Sequence, residues 1–378
     1  MTIEKRLFGY ANGGGRVDCY TLRDGSMSAE ILTYGGAVRS LTVPVMDDMR
    51  DVVLGFDDMD DYEAQSSYIG AIIGRVANRI GGARFASGGK IYTVDANDGQ
   101  NCLHGGFRGF DKRVWEAREE SDALVLCLRD PPEYGFPGTL SAEVRYRLDD
   151  LSFSIEYSAE CGEDTPVSLT SHCYFNLGGH GSRSDEFTHN LSPQQEPKVS
   201  SKDDTIVPTP QSDAESHLGS IEGHKIQISA QFVTAVDGML IPTGELLDVA
   251  GTPFDLREPK TITAGLESGH PQIAIGGGYD HNFVLSRAPR RSPELAATLG
   301  FKGLTMTCST TQPGLQLYSG NHLSGIKGKR NTVYPKRSGL CLEAQAWPDA
   351  VNHPAFPDCV LRKGDAYCHK TVYAFTII

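Results

Sequence analysis

The sequence predicts an all-β protein, a large and mostly antiparallel β-sandwich. Three observations carry that prediction: apolar residues recur with a period of two, the apolar runs are short and bounded by turn residues, and no stretch keeps three-and-four apolar spacing over the roughly 11 positions a packed helix needs. The clearest pattern is Val144, Tyr146 and Leu148, then Leu151, Phe153, Ile155 and Tyr157, with Asp149-Asp150 between them. That is the signature of a β-hairpin.

Taken in chain order, residues 59–65 read as one short helix, and residues 123–128, 225–228, 304–308 and 371–378 read as further strands, punctuated by Gly, Pro, Asn and Asp. Two runs are apolar on both sides of an ionisable residue, at His172 and at Glu343, so strands there are expected to be covered on both faces. The polar stretch 200–223 and the basic stretch 286–293 read as surface excursions. The 378 residues exceed an average domain, but no fixed-period repeat and no low-complexity linker divides them. One domain over residues 1–378 is expected.

Composition narrows the function classes. A hydrophobic fraction of 39%, a charged fraction of 22% and 42 glycines describe a turn-rich globular chain and exclude a coiled coil, a collagen or a mostly disordered protein. With 35 Lys+Arg against 48 Asp+Glu, the formal net charge is −13, and that field repels phosphate backbones and anionic lipid. Neither nucleic acid nor membrane is an expected partner. The nine cysteines form no C-x-x-C pair and read as reduced thiols, no signal-peptide pattern follows Met1, and no run approaches the roughly 20 apolar residues of a membrane span. The expected location is cytoplasmic.

Five clusters place titratable groups among aromatics, glycines and amides: residues 74–80 with Arg75, Asn78 and Arg79, residues 103–106 with His104, residues 171–177 with His172 and Tyr174, residues 276–283 with Asp280, and residues 341–345 with Glu343. Taken singly, Arg75 and Arg79 are ordinary ion-pair donors, His104 is a loop histidine as readily as a ligand contact, and Asp280 is a turn cap as readily as a site residue. His172 and Glu343 differ, because burying an ionisable group between apolar neighbours without purpose is costly. No H-E-x-x-H, C-x-x-C or D-x-D-x-D-G pattern points to a metal, and Asn12-Gly13-Gly14-Gly15 lacks the Lys-Ser/Thr of a phosphate loop. Ser171 and His172 cannot work as nucleophile and base, since neighbours on one strand point to opposite faces.

Together these clusters resemble the aldose 1-epimerase (galactose mutarotase) family. The matching strings are GRVANRI at 74–80, LHGGFRGFDKRVW at 103–115, SHCYFNL at 171–177, YDHNFVL at 279–285, TTQPGLQLYSGNHL at 310–323 and GLCLEAQAWPDAVNHPAFP at 339–357, in the family's order. The resemblance implies a large β-sandwich and cofactor-free interconversion of the α and β anomers of a free aldohexose such as galactose or glucose. It gives Glu343 the part of general base and His172 that of general acid, and places Asn78, Arg79, His104, Tyr174, Asp280 and Gln316 around the sugar. Three departures from the family pattern, Ser171, Cys173 and Ala344, spare the titrating groups and bear on substrate preference.

Opening a pyranose requires a proton to leave the anomeric hydroxyl and another to reach the ring oxygen, so one base and one acid suffice. Glutamate is ionised at neutral pH, whereas histidine is only partly protonated, and Asp280 is the candidate to hold His172 as imidazolium. Trp347 or Tyr174 could lay an aromatic face against the sugar, although Trp347 reads at least as readily as a packing residue. The competing readings are a hexose-6-phosphate 1-epimerase, a sugar-binding module without catalysis, and a glycosidase using Asp280 and Glu343.

Overall fold

A computed structural model describes residues 1–46, 48–180 and 216–377. The alternation in the sequence becomes two large sheets. The strand Leu140–Asp149 buries every second side chain and pairs with Ser152–Cys161 from Leu140 against Cys161 to Asp149 against Ser152. The turn therefore falls on Asp150-Leu151, one residue later than the pattern placed it. Asp150 sits at φ 52°, a left-handed conformation that Asp tolerates, and its N–H donates to Asp24.

That hairpin lies within a nine-stranded sheet ordered Glu116–Glu119, Leu124–Asp130, Leu140–Asp149, Ser152–Cys161, Tyr367–Ile377, Leu304–Thr310, Glu294–Phe301, Lys225–Ile228 and Lys260–Thr261. The second sheet has eleven strands. Five consecutive ones, Thr2–Tyr10, Arg16–Asp24, Met27–Leu32, Val38–Val45 and Asp48–Val53, are followed by Tyr174–His180, Leu340–Gln345, Gly314–Tyr318, Asp280–Val284, Phe232–Val236 and Pro242–Asp248. Neighbours in both sheets run antiparallel, whereas Ser216–His217 pairs in parallel with Thr332–Tyr334 in a small third sheet. All four isolated strand runs expected from the sequence are strands.

The sheets face each other across one apolar cluster. Leu22, Ile31, Val43, Phe175, Leu317 and Leu342 come from the eleven-stranded sheet, and Leu126, Tyr146, Phe153, Met306 and Tyr373 from the nine-stranded one. Each such side chain contributes about 1.5–3 kcal/mol by leaving water. The expected helix is Met59–Ala64, capped by the Asp58 side chain, which accepts from the Asp61 N–H. Among the described residues, two further α-helices, Ile262–Leu266 and Pro271–Gly276, are too short to show a period in the sequence.

Residues 286–293 lie at the surface, as expected. Residues 200–215 lie outside the described residues, but Leu218 and Ile221 just after them are buried, so the end of that stretch packs inward. Its apolar residues, few as they are, decide that.

The site is positioned by the second face of the eleven-stranded sheet. In Leu340–Gln345, Leu340, Leu342 and Ala344 enter the core between the sheets, so Cys341, Glu343 and Gln345 face the other way. All six are buried, as expected for a strand covered on both faces.

Candidate active site

The same alternation places a set of polar side chains on that outer face. Phe175, Leu317 and Phe283 belong to the core, so Tyr174, Gln316 and Asp280 point away from it, beside Glu343. Register aligns them across strands: Asn282 lies opposite Gln316, Gln316 opposite Glu343, and Tyr318 opposite both Asp280 and Cys341. His172 shares the parity of Tyr174 and stands just before its strand.

Segments from residues 66–104 cover this face and enclose a cavity of about 290 Å³ with it. Asn78, Arg79, His104, His172, Tyr174, Asp280 and Glu343 all line it. Two grooves of about 330 and 390 Å³ lie elsewhere, but neither holds a histidine paired with a carboxylate. Here His172 Nε2 stands 3.9 Å from Glu343 Oε1.

The covering loops hold their residues by unusual backbone. Tyr68, Asn78 and His104 have φ of 57°, 61° and 53°, conformations that cost about 1–3 kcal/mol each and persist where surrounding structure enforces them. The Asn78 N–H donates to His104 Nδ1 at 3.1 Å, which leaves the ring proton on Nε2. The rings of Tyr68 and His104 meet edge-on at 4.6 Å, and His104 meets His172 edge-on at 5.3 Å. Arg79 Nε donates to Asp98 Oδ2 at 2.8 Å, and Tyr174 donates its hydroxyl proton to the Ser67 carbonyl at 2.9 Å.

Burial dominates the electrostatics. It pushes Glu343 well above the usual carboxylate range, assisted by the charge of Asp280 and opposed by Arg79. Burial also raises Asp280, against Arg79 and the hydrogen bond from Gln316. His172 is lowered to about 4 by burial, and His104 is driven well below its ordinary value by burial, His172 and Arg79.

Several expectations need correction. Asp280 was the candidate to hold His172 as imidazolium, yet it accepts from Gln316 Nε2 at 2.7 Å, and the carboxylate paired with His172 is Glu343. Gln316 lies behind Asp280 in the floor and does not line the cavity. Trp347 faces away, packed on Phe356, with its indole N–H on the Pro313 carbonyl. Arg75, by contrast, is the ion-pair donor that its sequence reading favours, fully buried against Asp130 with bonds of 2.7 and 2.9 Å. Cys173 and Ala344 belong to the core, and Ser171 shares the parity of Cys173 and contacts its sulfur, so these departures face away from the sugar side.

The cavity also includes Ser66, Ser67, Tyr68, Asp98, Leu103, Tyr318 and His322, which were not singled out. Tyr318 and His322 fall inside the string at 310–323, and Tyr68 stands just before 74–80. For Asp98 the sequence carries no comparable signal.

His104, His172 and Glu343 could offer three ligand atoms within 4.8 Å of one another. A ligating imidazole turns a bare nitrogen to the metal and donates its other N–H to an acceptor. His104 does the reverse, because its Nδ1 accepts from a backbone N–H. The donor set does not fit a resident metal.

Comparison with known proteins agrees with this geometry. The family model described as Aldose 1-epimerase matches residues 18–211 and 210–374. A galactose mutarotase from Mus musculus is 37% identical over 381 residues, covering 100% of this chain and 99% of that protein. An aldose 1-epimerase from Escherichia coli (strain K12) is 36% identical over 364 residues and 94% of each chain. Among solved structures, an aldose epimerase homologue from C. elegans superimposes with a TM-score of 0.77 at 28% identity, over 95% of this chain and 98% of that one. A galactose 1-epimerase from Lactobacillus acidophilus, at 24% identity and TM-score 0.79 over 100% and 99%, shares the fold. A match that spans nearly the whole chain, with more than a third of its residues shared with these relatives, makes this protein a member of the aldose 1-epimerase family.

Proposed function

We propose that the protein interconverts the α and β anomers of free aldohexoses such as galactose and glucose, with Glu343 as general base and His172 as general acid. The observation that carries this reading is the 3.9 Å separation of His172 Nε2 and Glu343 Oε1 across one cavity. The two oxygens that exchange protons in ring opening are bonded to the same carbon. Acid and base must therefore stand within a few ångströms of each other, each within about 2.6–3.2 Å of its oxygen.

In the forward step the Glu343 carboxylate removes the anomeric hydroxyl proton, the C1–O5 bond breaks as the C1 carbonyl forms, and His172 imidazolium gives its proton to the ring oxygen. Rotation about C1–C2 presents the other face of the aldehyde. Reclosure returns both protons, so one proton stays on the pair throughout. Ring opening converts a charged pair into a neutral carboxylic acid and imidazole, the forms that burial favours. Burial therefore keeps the shared proton mostly on Glu343 at rest, and the charged pair from which the ring opens is the less populated form. His104 presents a neutral Nε2–H as a donor to a hydroxyl, Asn78 and Arg79 add donors, and Asp280 accepts. Tyr174 supplies a wall.

The lining also argues against a phosphorylated sugar. Asp98, Asp280 and Glu343 face a single guanidinium, Arg79, whose Nε is already bonded to Asp98. Glu343 is paired with the His172 imidazole, while Asp280, the other carboxylate that reading needs, accepts from Gln316 Nε2, which disfavours glycoside hydrolysis. We place the protein in the cytoplasm. All nine cysteines are unbridged, which supports a reducing compartment, and no helix among the described residues is long and apolar enough to cross a membrane.

Polarimetry on fresh α-D-galactose and α-D-glucose tests the reading. The wild type accelerates the decay of rotation. Saturable sugar binding with unchanged decay would instead establish a non-catalytic module, and a strong preference for the 6-phosphate would establish the phosphosugar reading.

A further inference from the structure

Behind the cavity, on the same sheet face, lies a group of amides that the reaction above does not use. Among the described residues, six buried side-chain atoms there have no hydrogen-bond partner, and they sit on four residues: Glu343 Oε2, Gln316 Oε1, and both polar atoms of Asn282 and of Gln345. All four residues are at most 4% exposed. Folded proteins rarely bury such atoms unpaired, so a cluster of them beside the proposed base requires a reason.

Register makes the cluster contiguous. Glu343 lies opposite Gln316, Gln316 opposite Asn282, and Gln345 follows Glu343 by two residues on the same face. Opposite Gln345 stands Gly314, and a Cβ at Gly314 would come within 2.2 Å of Asn282 Oδ1 and 3.1 Å of Trp347. Asn282 thus occupies the space a side chain at 314 would take, which brings it toward Gln345. Gln316 has committed one of its two N–H donors to Asp280. The amide nitrogens with no bond at all are those of Asn282 and Gln345, and the unspent acceptors include Gln316 Oε1 and Glu343 Oε2.

We propose that Asn282 and Gln345 are positioning residues, whose amide N–H groups serve the second oxygen of Glu343 and the Gln316 carbonyl, directly or through one bridging water, when Glu343 is ionised. This rests on Glu343 as the base. Donors offered to a buried carboxylate stabilise its charged form and weaken its hold on the proton. The single proton shared with His172 then spends more of its time on the imidazole, the arrangement from which the ring opens.

The test is the pH dependence of kcat and KM for Gln345→Met and Asn282→Leu by polarimetry, with Glu343→Gln as the control on the base. Losing the amide tightens the Glu343 proton, so the alkaline limb of the rate profile moves to higher pH. The plateau rate falls tenfold for each pH unit of that movement. We expect a movement of about one unit, a roughly tenfold loss in kcat, and a KM changed less than threefold. Replacing a buried unpaired amide by an apolar side chain of similar size is neutral or stabilising, so Tm should not fall in Gln345→Met. A rate loss in both variants with an unmoved alkaline limb, or no rate loss in either, would overturn the proposal while leaving the base assignment intact. Full activity in Glu343→Gln would instead remove the base and the proposal with it.

Discussion

At the scale of the residue, the pair His172 and Glu343 sets two expectations. Glu343→Gln and His172→Asn should each lower kcat by about 10² to 10⁴, read from the decay of optical rotation, because in the proposed mechanism each group transfers a proton. The profile against pH should be bell-shaped, since the working pair holds one proton. It falls on the acid side near pH 4, where a second proton adds to His172, and on the alkaline side where Glu343, held well above its ordinary value, finally ionises. Asp280→Asn separates the roles of the carboxylates. Its charge raises Glu343, so removing it should move the alkaline limb to lower pH, while the lost acceptor raises KM. An unmoved limb in that variant would refute the coupling. These residues were legible in the sequence because ionisable groups among apolar neighbours stand out. Their protonation was not, since it depends on burial that a linear pattern does not show.

At the scale of the element, alternation divides the labour within a single strand. In Leu340–Gln345 the odd-numbered side chains face the cavity side and the even-numbered ones hold the sandwich together. Leu342→Ala should therefore cost about 2–5 kcal/mol of stability by leaving a cavity between the sheets, measurable by urea unfolding. A loss under 1 kcal/mol would contradict the packing described. The loop carrying His104 depends on glycine in a different way. Gly105 has φ 88°, and a Cβ there would lie 2.0 Å from the Gly74 carbonyl oxygen, so no side chain fits without moving backbone. Gly105→Ala should lower Tm by several degrees and raise KM severalfold as His104 is displaced. The sequence marked this loop as glycine-rich. It did not reveal that Gly105 is pressed against the segment leading into Arg75.

At the scale of the molecule, buried neutral histidines govern stability against pH. His180, His224 and His281 are lowered to about 3, chiefly by burial, and His104 and His172 are lowered as well. Three of the five rings accept from backbone N–H groups, His104 Nδ1 from Asn78, His224 Nε2 from Leu177 and His281 Nδ1 from Asp280, which a proton would break. Unfolded, each binds a proton near pH 6.5. Between that pH and the folded values the unfolded state holds more protons, so stability is complete above about 6.5 and declines as pH falls. Each ring forfeits about 2 kcal/mol at pH 5. Glu343 and Asp111, the latter raised to about 6 by burial, run the other way, with smaller contributions from Asp280 and Asp349. The five rings outweigh them, and Tm should fall steadily from pH 6.5 to 5. A Tm flat or rising over that window would refute this. We also propose that the chain unfolds as one cooperative unit, because both sheets share one core; two separated calorimetric transitions would count against it.

The sequence by itself determined the class of fold and the identity of the chemistry. A period of two can only build sheets with two unlike faces, and six strings in a fixed order carry the family likeness and name the residues that titrate. Only the tertiary structure decided which face of each strand meets the covering loops. That choice brought Glu343 and His172 together, admitted Tyr68, Asp98, Tyr318 and His322, turned Trp347 and Arg75 away, and left Gln316 behind Asp280. Periodicity fixes that neighbouring residues part to opposite sides, but which side becomes a cavity depends on contacts between segments far apart in the chain. Proton affinities follow from the same contacts, because burial sets them here more than any neighbour in sequence.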